Sequence, residues 1–302
     1  MIRSSGLAVA AAGVGLALVW GQLAQAADYG GLGAHTSDNG RYAAEIDVFA
    51  AWLIRTGEGI NESGGTSEDP SLPIVGAAGK VAMPLSSGHL LQFDLDAEKA
   101  FANGSDDNYA GSVVGGVHLA GRSAGGWMWG GFAALGRTQD LDPEQSATIW
   151  ALGIEALGQV GAVDVLGQVG YMDASAVNPE GLHEAVFGRA VARKWVNPET
   201  RLSGELAVAS GMQDTDNTLL LFALGGEVER SLNLMPSPHA TSGYLRYDGV
   251  LFNEGGADAT RIVDHRFTLG LRMRFGGPPT GEGTPYDLPN FGHWYGGGPA
   301  LD

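Results

Sequence analysis

The stretch "DHRFTLGLRMRFGG", from Asp264 to Gly277, alternates between two kinds of side chain. From Phe267 to Phe275 one parity is wholly apolar, and the other parity carries Arg266, Arg272 and Arg274. Alternation with a period of two predicts a β-strand that has two different faces. Such a strand needs apolar surroundings on one side and polar surroundings on the other. The pattern of the other strands is needed to identify these two surroundings.

Similar alternating runs follow one another along most of the chain, and no segment shows a helical repeat of useful length. The sequence therefore predicts an all-β protein with about twelve strands. The predicted strands are 43–54, 74–84, 88–97, 109–120, 125–137, 147–157, 161–172, 183–194, 200–209, 218–229, 240–252 and 264–275.

The segments between these strands differ in a regular way. The first, third and other odd-numbered spacers are acidic and mostly long, whereas the even-numbered ones are mostly short, as in "SSG" and "QVGA". A single up-and-down antiparallel barrel in a bacterial outer membrane has short turns on its periplasmic side and longer loops outside. A soluble β-sandwich with Greek-key connections has no reason to sort its loops in this way. The pattern predicts a transmembrane barrel over residues 42–275, with both ends periplasmic.

The faces of the strands support this prediction. In the first strand Ile46, Val48 and Trp52 share one face, and Glu45 and Asp47 lie on the other. In a soluble barrel the apolar face would be the core, while in a membrane barrel it would meet lipid and the charged face would line the lumen. Strand lengths near eleven residues suit a tilted membrane span. Four aromatic residues lie near strand ends, where an interfacial girdle is expected: Trp52, Trp127, Trp150 and Trp195.

Outside the barrel the chain divides into three segments. Residues 1–26 have a basic start, a short apolar core and the small-residue motif Ala24-Gln25-Ala26, which predicts a cleaved signal peptide, with a retained anchor as the alternative. Residues 27–41 form a polar leader, and residues 276–302 form a Gly/Pro-rich tail. The composition of the tail favours a flexible extension, and its aromatic residues leave open a plug in the mouth of the lumen.

Two compositional features exclude other classes. The net charge of −17 argues against a nucleic-acid-binding protein, which needs a basic surface. There is no cysteine, so an exported chain must draw its stability from a large core or from a sheet closed in lipid rather than from disulfides.

A pattern of about twelve such strands after a signal peptide, the last of them ending in an aromatic residue, resembles the Gram-negative outer-membrane β-barrel proteins, including porins. The resemblance implies an outer-membrane location and contact with outer-membrane lipid and lipopolysaccharide. It also implies that Phe275 is the signal read by the barrel assembly machinery. The sequence departs from this family pattern because residues 276–302 follow Phe275.

The polar parity predicts which charges line the lumen. Buried charges need partners, so these residues either form an ion-pair network that fills a narrow lumen or line a water-filled pore that selects solutes. The second possibility predicts a passive, porin-like channel for small hydrophilic solutes. The predicted lumen charges are Glu45, Asp47, Asp94, Asp96, Glu155, Glu205, Glu227, Glu229, Arg246, Asp248, Arg266, Arg272 and Arg274.

Two alternatives to a channel are a barrel enzyme that acts on lipids and a structural or adhesive barrel without a pore. The segment "HTSDNGR", which begins at His35, is similar to the His–Ser–Asn neighbourhood of outer-membrane phospholipases, but it precedes the first strand and is better explained as polar leader. The sequence predicts no catalytic residue, no cofactor and no metal site. His118 is predicted to face the lumen alone.

Overall fold

The computed structural model of the chain describes residues 43–57, 71–86, 88–101, 109–123, 126–139, 146–176, 182–212, 218–232, 240–254, 261–275 and 288. All of them belong to one compact unit, Gly40–Asp302. The predicted signal peptide, the leader and His35 lie outside the described residues. Within the described ranges no helix is long and apolar enough to span a membrane.

The described residues form twelve strands, which confirms the all-β prediction. They are β1 Ala43–Gly57, β2 Ser71–Ser86, β3 His89–Phe101, β4 Tyr109–Arg122, β5 Met128–Gln139, β6 Ser146–Val160, β7 Val163–Ala176, β8 His183–Asn197, β9 Thr200–Met212, β10 Thr218–Ser231, β11 Ala240–Glu254 and β12 Arg261–Phe275. Several run a few residues past their predicted bounds, because backbone pairing continues where the side chains stop alternating.

Each strand pairs antiparallel with its neighbours in sequence, and β1 pairs with β12 to close the barrel. We call this β1–β12 pairing the seam; it sets Ala44 opposite Phe275 and Asp47 opposite Arg272. A closed barrel has no free sheet edge, which is the condition for a sheet to span lipid.

The two ends of the barrel differ in their connections. At one end, the turn end, β6 and β7 are joined by only two residues and β8 and β9 likewise. Three glycines at this end have positive φ angles, 95° at Gly88, 84° at Gly126 and 62° at Gly161, which the tight turns require. The start of β1 and the end of β12 also lie at the turn end. The opposite end, the loop end, carries the other six connections, of five to thirteen residues, and the eight-residue connection between β10 and β11 is the longest at the turn end.

The exterior of the barrel is apolar over most of its height. Ile154, Leu269 and Val169 are 68%, 66% and 62% exposed, an arrangement that a protein surrounded by water avoids. On β10 the exterior residues from Leu220 to Val228 span roughly 20 Å along the barrel axis, given about 3.3 Å per residue and a tilt near 40°. An even number of antiparallel strands, short turns at one end, an apolar exterior and a charged interior define a bacterial outer-membrane β-barrel.

Aromatic side chains flank the apolar band on both sides. Near the loop end Trp52 is exterior, and the rings of Trp150 and Tyr171 lie 5.5 Å apart. At the turn end the Trp129 side chain is 60% exposed. The ring of Trp127 packs beside it, with the two centroids 6.3 Å apart.

The prediction of a girdle position is wrong for Trp195. This residue pairs with Arg201 and has the same parity as the interior residues Arg189 and Val191. Its ring lies 5.8 Å from the Arg201 guanidinium carbon, so it covers a buried cation rather than facing lipid.

Glycines on the interior make room for large rings near the seam. Gly270 lies directly opposite Tyr244, and a Cβ atom at Gly270 would come within 2.3 Å of the Tyr244 ring. Likewise, Gly76 lies directly opposite Phe49, and a Cβ atom at Gly76 would come within 2.3 Å of the Phe49 ring. These glycines allow the aromatic rings to lie flat against the wall of the barrel.

We expect Gly270→Ala to lower the free energy of unfolding by about 1–3 kcal/mol, because the buried Tyr244 ring must move. Gly204→Ala is the matched control: it is also in a strand, and nothing lies within 4 Å of the position its Cβ would take. Denaturant unfolding from lipid vesicles measures both. Equal effects would show that Gly270 is not required by the Tyr244 ring.

Candidate functional site

The candidate site is a layer of charged and polar side chains inside the barrel, which we call the charged belt. Every strand except β5 contributes to it. The structure places all thirteen predicted lumen charges on the interior face, and most of them are nearly inaccessible; Glu229 is only 1% exposed. The belt also contains residues outside the predicted set: Lys80, Glu98, His118, Gln168, Arg189 and Arg201.

Arg272 lies at the centre of the belt near the seam. Its Nε donates to Asp47 Oδ1 at 2.9 Å, and its NH2 donates to Asp47 Oδ2 at 2.9 Å. Its NH1 donates to Glu227 at 2.8 Å and to Glu229 at 2.7 Å. The guanidinium carbon lies 4.6 Å from the centre of the Tyr244 ring. One buried arginine therefore joins strands β1, β10, β11 and β12.

The belt continues from Arg272 towards the turn end. Arg274 donates to Glu45 at 2.7 Å and also donates to Glu229. Lys80 on β2 lies 3.0 Å from Glu45, and Arg201 on β9 lies 2.6 Å from Glu229. Glu229 thus forms ion pairs with cations of β12 and of β9, and these pairs link the seam to the strand on the other side of β10.

His118 lies on the far side of the barrel between two carboxylates. Its Nε2 is 3.0 Å from Asp94 Oδ2, and its Nδ1 is 3.0 Å from both oxygens of Glu155. With both carboxylates ionised, both contacts are hydrogen bonds only when the ring carries a proton on each nitrogen. Gln168 donates to Glu155 at 2.8 Å. The prediction that His118 faces the lumen alone is therefore wrong, because a single sequence does not reveal which side chains of nearby strands meet inside the barrel.

The chain of hydrogen bonds then continues around the wall. Arg189 NH1 donates to Gln168 Oε1 at 3.0 Å, and Arg189 Nε donates to Glu205 at 2.8 Å. Arg246 donates to Glu205 at 3.1 Å and to Asp248 at 2.6–2.9 Å. Together with the seam cluster, these contacts place ion pairs around most of the circumference.

Arg266 forms a further ion pair between two strands that are not neighbours. Its NH1 lies 2.8 Å from Glu98 on β3, which is not a neighbouring strand of β12. Its guanidinium carbon lies 5.4 Å from the Phe49 ring. Because the two charges come from non-adjacent strands, their contact narrows the lumen.

A cavity of about 90 Å³ remains inside the belt. This volume holds a few water molecules. Its charged lining is mixed in sign, with seven basic and five acidic residues: Lys80, Arg189, Arg193, Arg201, Arg246, Arg266 and Arg272, and Glu45, Asp47, Asp96, Glu205 and Glu227.

Apolar side chains occupy the interior between the belt and the loop end. Phe132 and Phe187, whose ring centroids are 6.0 Å apart, belong to a buried cluster with Met172 and Leu221. A second buried cluster, on the β1–β2 side, contains Leu53 and other residues. This end of the lumen is therefore filled by packed side chains, which the strict polar-inside pattern does not predict.

One predicted feature and one unpredicted ion pair lie at the two ends of the seam. Phe275 lies at the turn end and pairs with Ala44 across the seam, so it ends the last strand of the closed barrel. Arg55 and Asp264, just beyond or at the predicted strand limits, form a buried ion pair at 2.7 Å near the loop end. Sequence reasoning missed this pair because the predicted first strand ended at Ile54, one residue before Arg55.

Comparison with known proteins gives only distant likenesses. No family model matches the sequence, and no curated protein does so. Among solved structures, an outer-membrane channel from Pseudomonas putida F1 has a TM-score of 0.47 at 12% identity, over 80% of this chain and 96% of that one. A FadL homologue from Pseudomonas aeruginosa has a TM-score of 0.41 at 9% identity, over 78% and 90%.

A third solved structure is the translocator domain of the autotransporter NalP from Neisseria meningitidis. It has a TM-score of 0.40 at 14% identity, over 87% of this chain and 98% of that one. At such low identity and similarity, none of the three structures transfers a substrate or a mechanism to this chain.

Proposed function

We propose that this outer-membrane barrel is a narrow, passive channel for small hydrophilic solutes, in which the charged belt acts as an electrostatic filter. The observation that carries the proposal is the cavity inside the belt, which is lined by charged side chains of both signs. A water-filled space between fixed charges is the element from which channels derive selectivity.

The size of the cavity sets the kind of solute. About 90 Å³ accommodates a few waters or a small hydrated ion, and a larger solute would have to displace belt side chains. The packed phenylalanines near the loop end must also move before anything passes. We therefore expect small and infrequent conductance steps rather than the large constant conductance of a wide porin.

The lining also predicts the sign of the preferred ion. Basic residues outnumber acidic ones around the cavity, although the whole protein carries a net charge of −17. A local excess of fixed positive charge in a narrow space favours anions. We expect a weak preference for chloride over potassium.

The second candidate function is a structural barrel without a pore. It is favoured by the dense packing of apolar side chains near the loop end and by the number of ion pairs in the belt. In this case the side chains of the charged belt would only fill the lumen and stabilise the closed barrel.

Single-channel recording in planar lipid bilayers separates the two candidates. We expect purified, folded protein to give small steps with an anion-shifted reversal potential in a potassium chloride gradient. The double variant Phe132→Ala/Phe187→Ala should raise the conductance, because it removes two rings that fill the lumen. Phe222→Ala, which removes an exterior ring that is 42% exposed, is the matched control and should leave the conductance unchanged.

The absence of conductance in both the native protein and the widened variant would overturn the channel proposal in favour of the structural barrel. Folding of each variant is checked by its heat-dependent shift on gel electrophoresis, so that an unfolded sample is not mistaken for a closed channel.

A further inference from the structure

The charges that line the cavity inside the belt are separated by sign. Strands β1–β3 line it with three acidic residues and one lysine, and we call this set the acidic wall. Strands β8–β12 line it with six arginines and two glutamates, and we call this set the basic wall. In the closed ring of twelve strands β2 lies six strands from β8 in either direction, so part of the basic wall lies opposite the acidic wall.

The accessible charges show the same separation. Of the twelve charged residues in this lining, nine are buried, and three have partly accessible side chains: Asp96 on β3, Arg193 on β8 and Arg246 on β11. All three have the interior parity of their strands, so their accessible surface opens into the lumen. A solute in the cavity therefore meets an anion on one wall and two cations on the other.

The basic wall is suited to a carboxylate. Ser203 on β9 lies directly opposite Arg193 and also lines the cavity. A guanidinium group can donate two parallel hydrogen bonds to a carboxylate, and a serine hydroxyl can donate a further one. Arg246 is held in place by Asp248 and Glu205, and it adds positive charge to the same wall.

The acidic wall is suited to a small cation. Asp96 lies directly opposite Ala78, a small residue that lines the same cavity. The carboxylates of Glu45 and Asp47 add negative charge to this wall. An ammonium group is a compact cation with three donors, which matches a carboxylate that has little bulk beside it.

Charges of opposite sign on two walls act on a dipole as well as on a net charge. Their field is strong where little water is present to screen it. A volume of about 90 Å³ fits a molecule of the size of glycine and not an amino acid with a long side chain. The lining thus distinguishes solutes by the separation of their charges and by their size.

We propose that the cavity is a binding site for small zwitterions, which carry an ammonium group and a carboxylate on a short carbon chain. The carboxylate binds at Arg193 and Ser203, and the ammonium group binds at Asp96. The proposal rests on the channel function proposed above and names its class of solute. A zwitterion satisfies both walls at once, whereas a simple anion satisfies only one.

Solute entry into lipid vesicles that contain the full-length protein tests the proposal. The probes are glycine, its uncharged isomer glycolamide, and glycolate, in which a hydroxyl replaces the ammonium group. After subtraction of the rates in protein-free vesicles, we expect glycine to enter at least fivefold faster than either of the other two. Equal rates for glycine and glycolamide would overturn the zwitterion site, and faster entry of glycolate would show plain anion selectivity instead.

A double variant tests the two residues. Arg193→Gln combined with Asp96→Asn removes one charge of each sign, so the net charge of the lining is unchanged and only the separation is reduced. We expect the ratio of glycine entry to glycolamide entry to fall towards one. An unchanged ratio in the double variant, with its folding checked by the heat-dependent gel shift, would overturn the assignment of Arg193 and Asp96.

Lys194→Gln is the matched control. Lys194 follows Arg193 in β8 but is exposed on the exterior of the barrel, so its loss should leave the ratio unchanged. Conductance separates the two levels of the proposal. Ion conductance without preference for glycine would overturn the zwitterion site while the channel stands, and the absence of both conductance and solute entry would overturn the channel function together with this site.

Discussion

Replacing Arg272 with alanine should lower the free energy of unfolding of the barrel by about 3–5 kcal/mol, because the change leaves buried carboxylates without their cation. Arg272 is 7% exposed and contacts Asp47, Glu227 and Glu229 at hydrogen-bond distance. Arg272→Glu should be worse, since it adds a further acid to this cluster and should prevent the seam from closing.

The measurement is denaturant unfolding of protein refolded into lipid vesicles. Arg230→Ala is the matched control, because the Arg230 side chain is 72% exposed and lies 3.7 Å from Glu199. A surface change of this kind usually alters stability by no more than about 0.5 kcal/mol. If both alanine variants unfold at the same denaturant concentration, the belt is hydrated enough to tolerate an unpaired carboxylate, and the view of a filled lumen is wrong.

The neighbouring substitution Leu271→Arg should cost about 2–4 kcal/mol, because it places a charge on the lipid-facing side near the middle of the membrane. Leu271 is 45% exposed on the exterior and pairs with Val48 across the seam. In a water-soluble barrel an arginine at such an exposed position would cost almost nothing. The prediction therefore tests the medium that surrounds the barrel and not only the fold.

Leu232→Arg provides the control for this change, since Leu232 follows β10 beyond the apolar band and next to the charged residue Arg230. A charge near the interface costs about 0–1 kcal/mol. Both variants are measured in the same vesicles. Equal and small costs for Leu271→Arg and Leu232→Arg would show that the exterior of the barrel does not face hydrocarbon.

The sequence alone was sufficient to predict the seam. In β12 apolar residues alternate with polar residues or glycine from Arg266 to Phe275, and in β1 Glu45 and Asp47 alternate with Ile46 and Val48, so the faces follow from parity. Joining the first strand to the last then brings Glu45 and Asp47 beside Arg272 and Arg274. Where the alternation is this regular, the sequence of one strand is enough to predict which of its side chains face the lumen and which face the lipid.

The partners of other interior side chains could not be predicted in this way. Arg189 lies in β8, where charged residues occur on both parities, as in Arg193 and Lys194. Its partner Glu205 and the pairing of His118 with Glu155 depend on how far each strand is shifted against the next. That shift is a property of the closed barrel, and it cannot be predicted from the sequence of a single strand.

The apolar interior near the loop end also could not be predicted from the alternation of apolar and polar residues. On β6 the interior residues Ile149 and Ala151 are as apolar as the exterior residues Leu152 and Ile154. A run that is apolar on both parities does not reveal that one side is packed against other side chains and the other meets lipid. Leu288 is buried in an interior apolar cluster with Leu90 and Leu166. Its position could not be predicted either, because the composition of the tail favours a flexible extension.

The seam has a consequence for how the barrel forms. The contact between Arg272 and Asp47 joins residues 225 positions apart in the chain, whereas every other pair of strands is joined to its neighbour in sequence. Contacts between residues so distant in sequence form slowly, because the ends of a long chain must first meet. Until they meet, β1 and β12 expose unpaired backbone edges that can pair with other chains. The last step of assembly is thus also the step that most needs protection from aggregation, and it cannot begin before β12 is available.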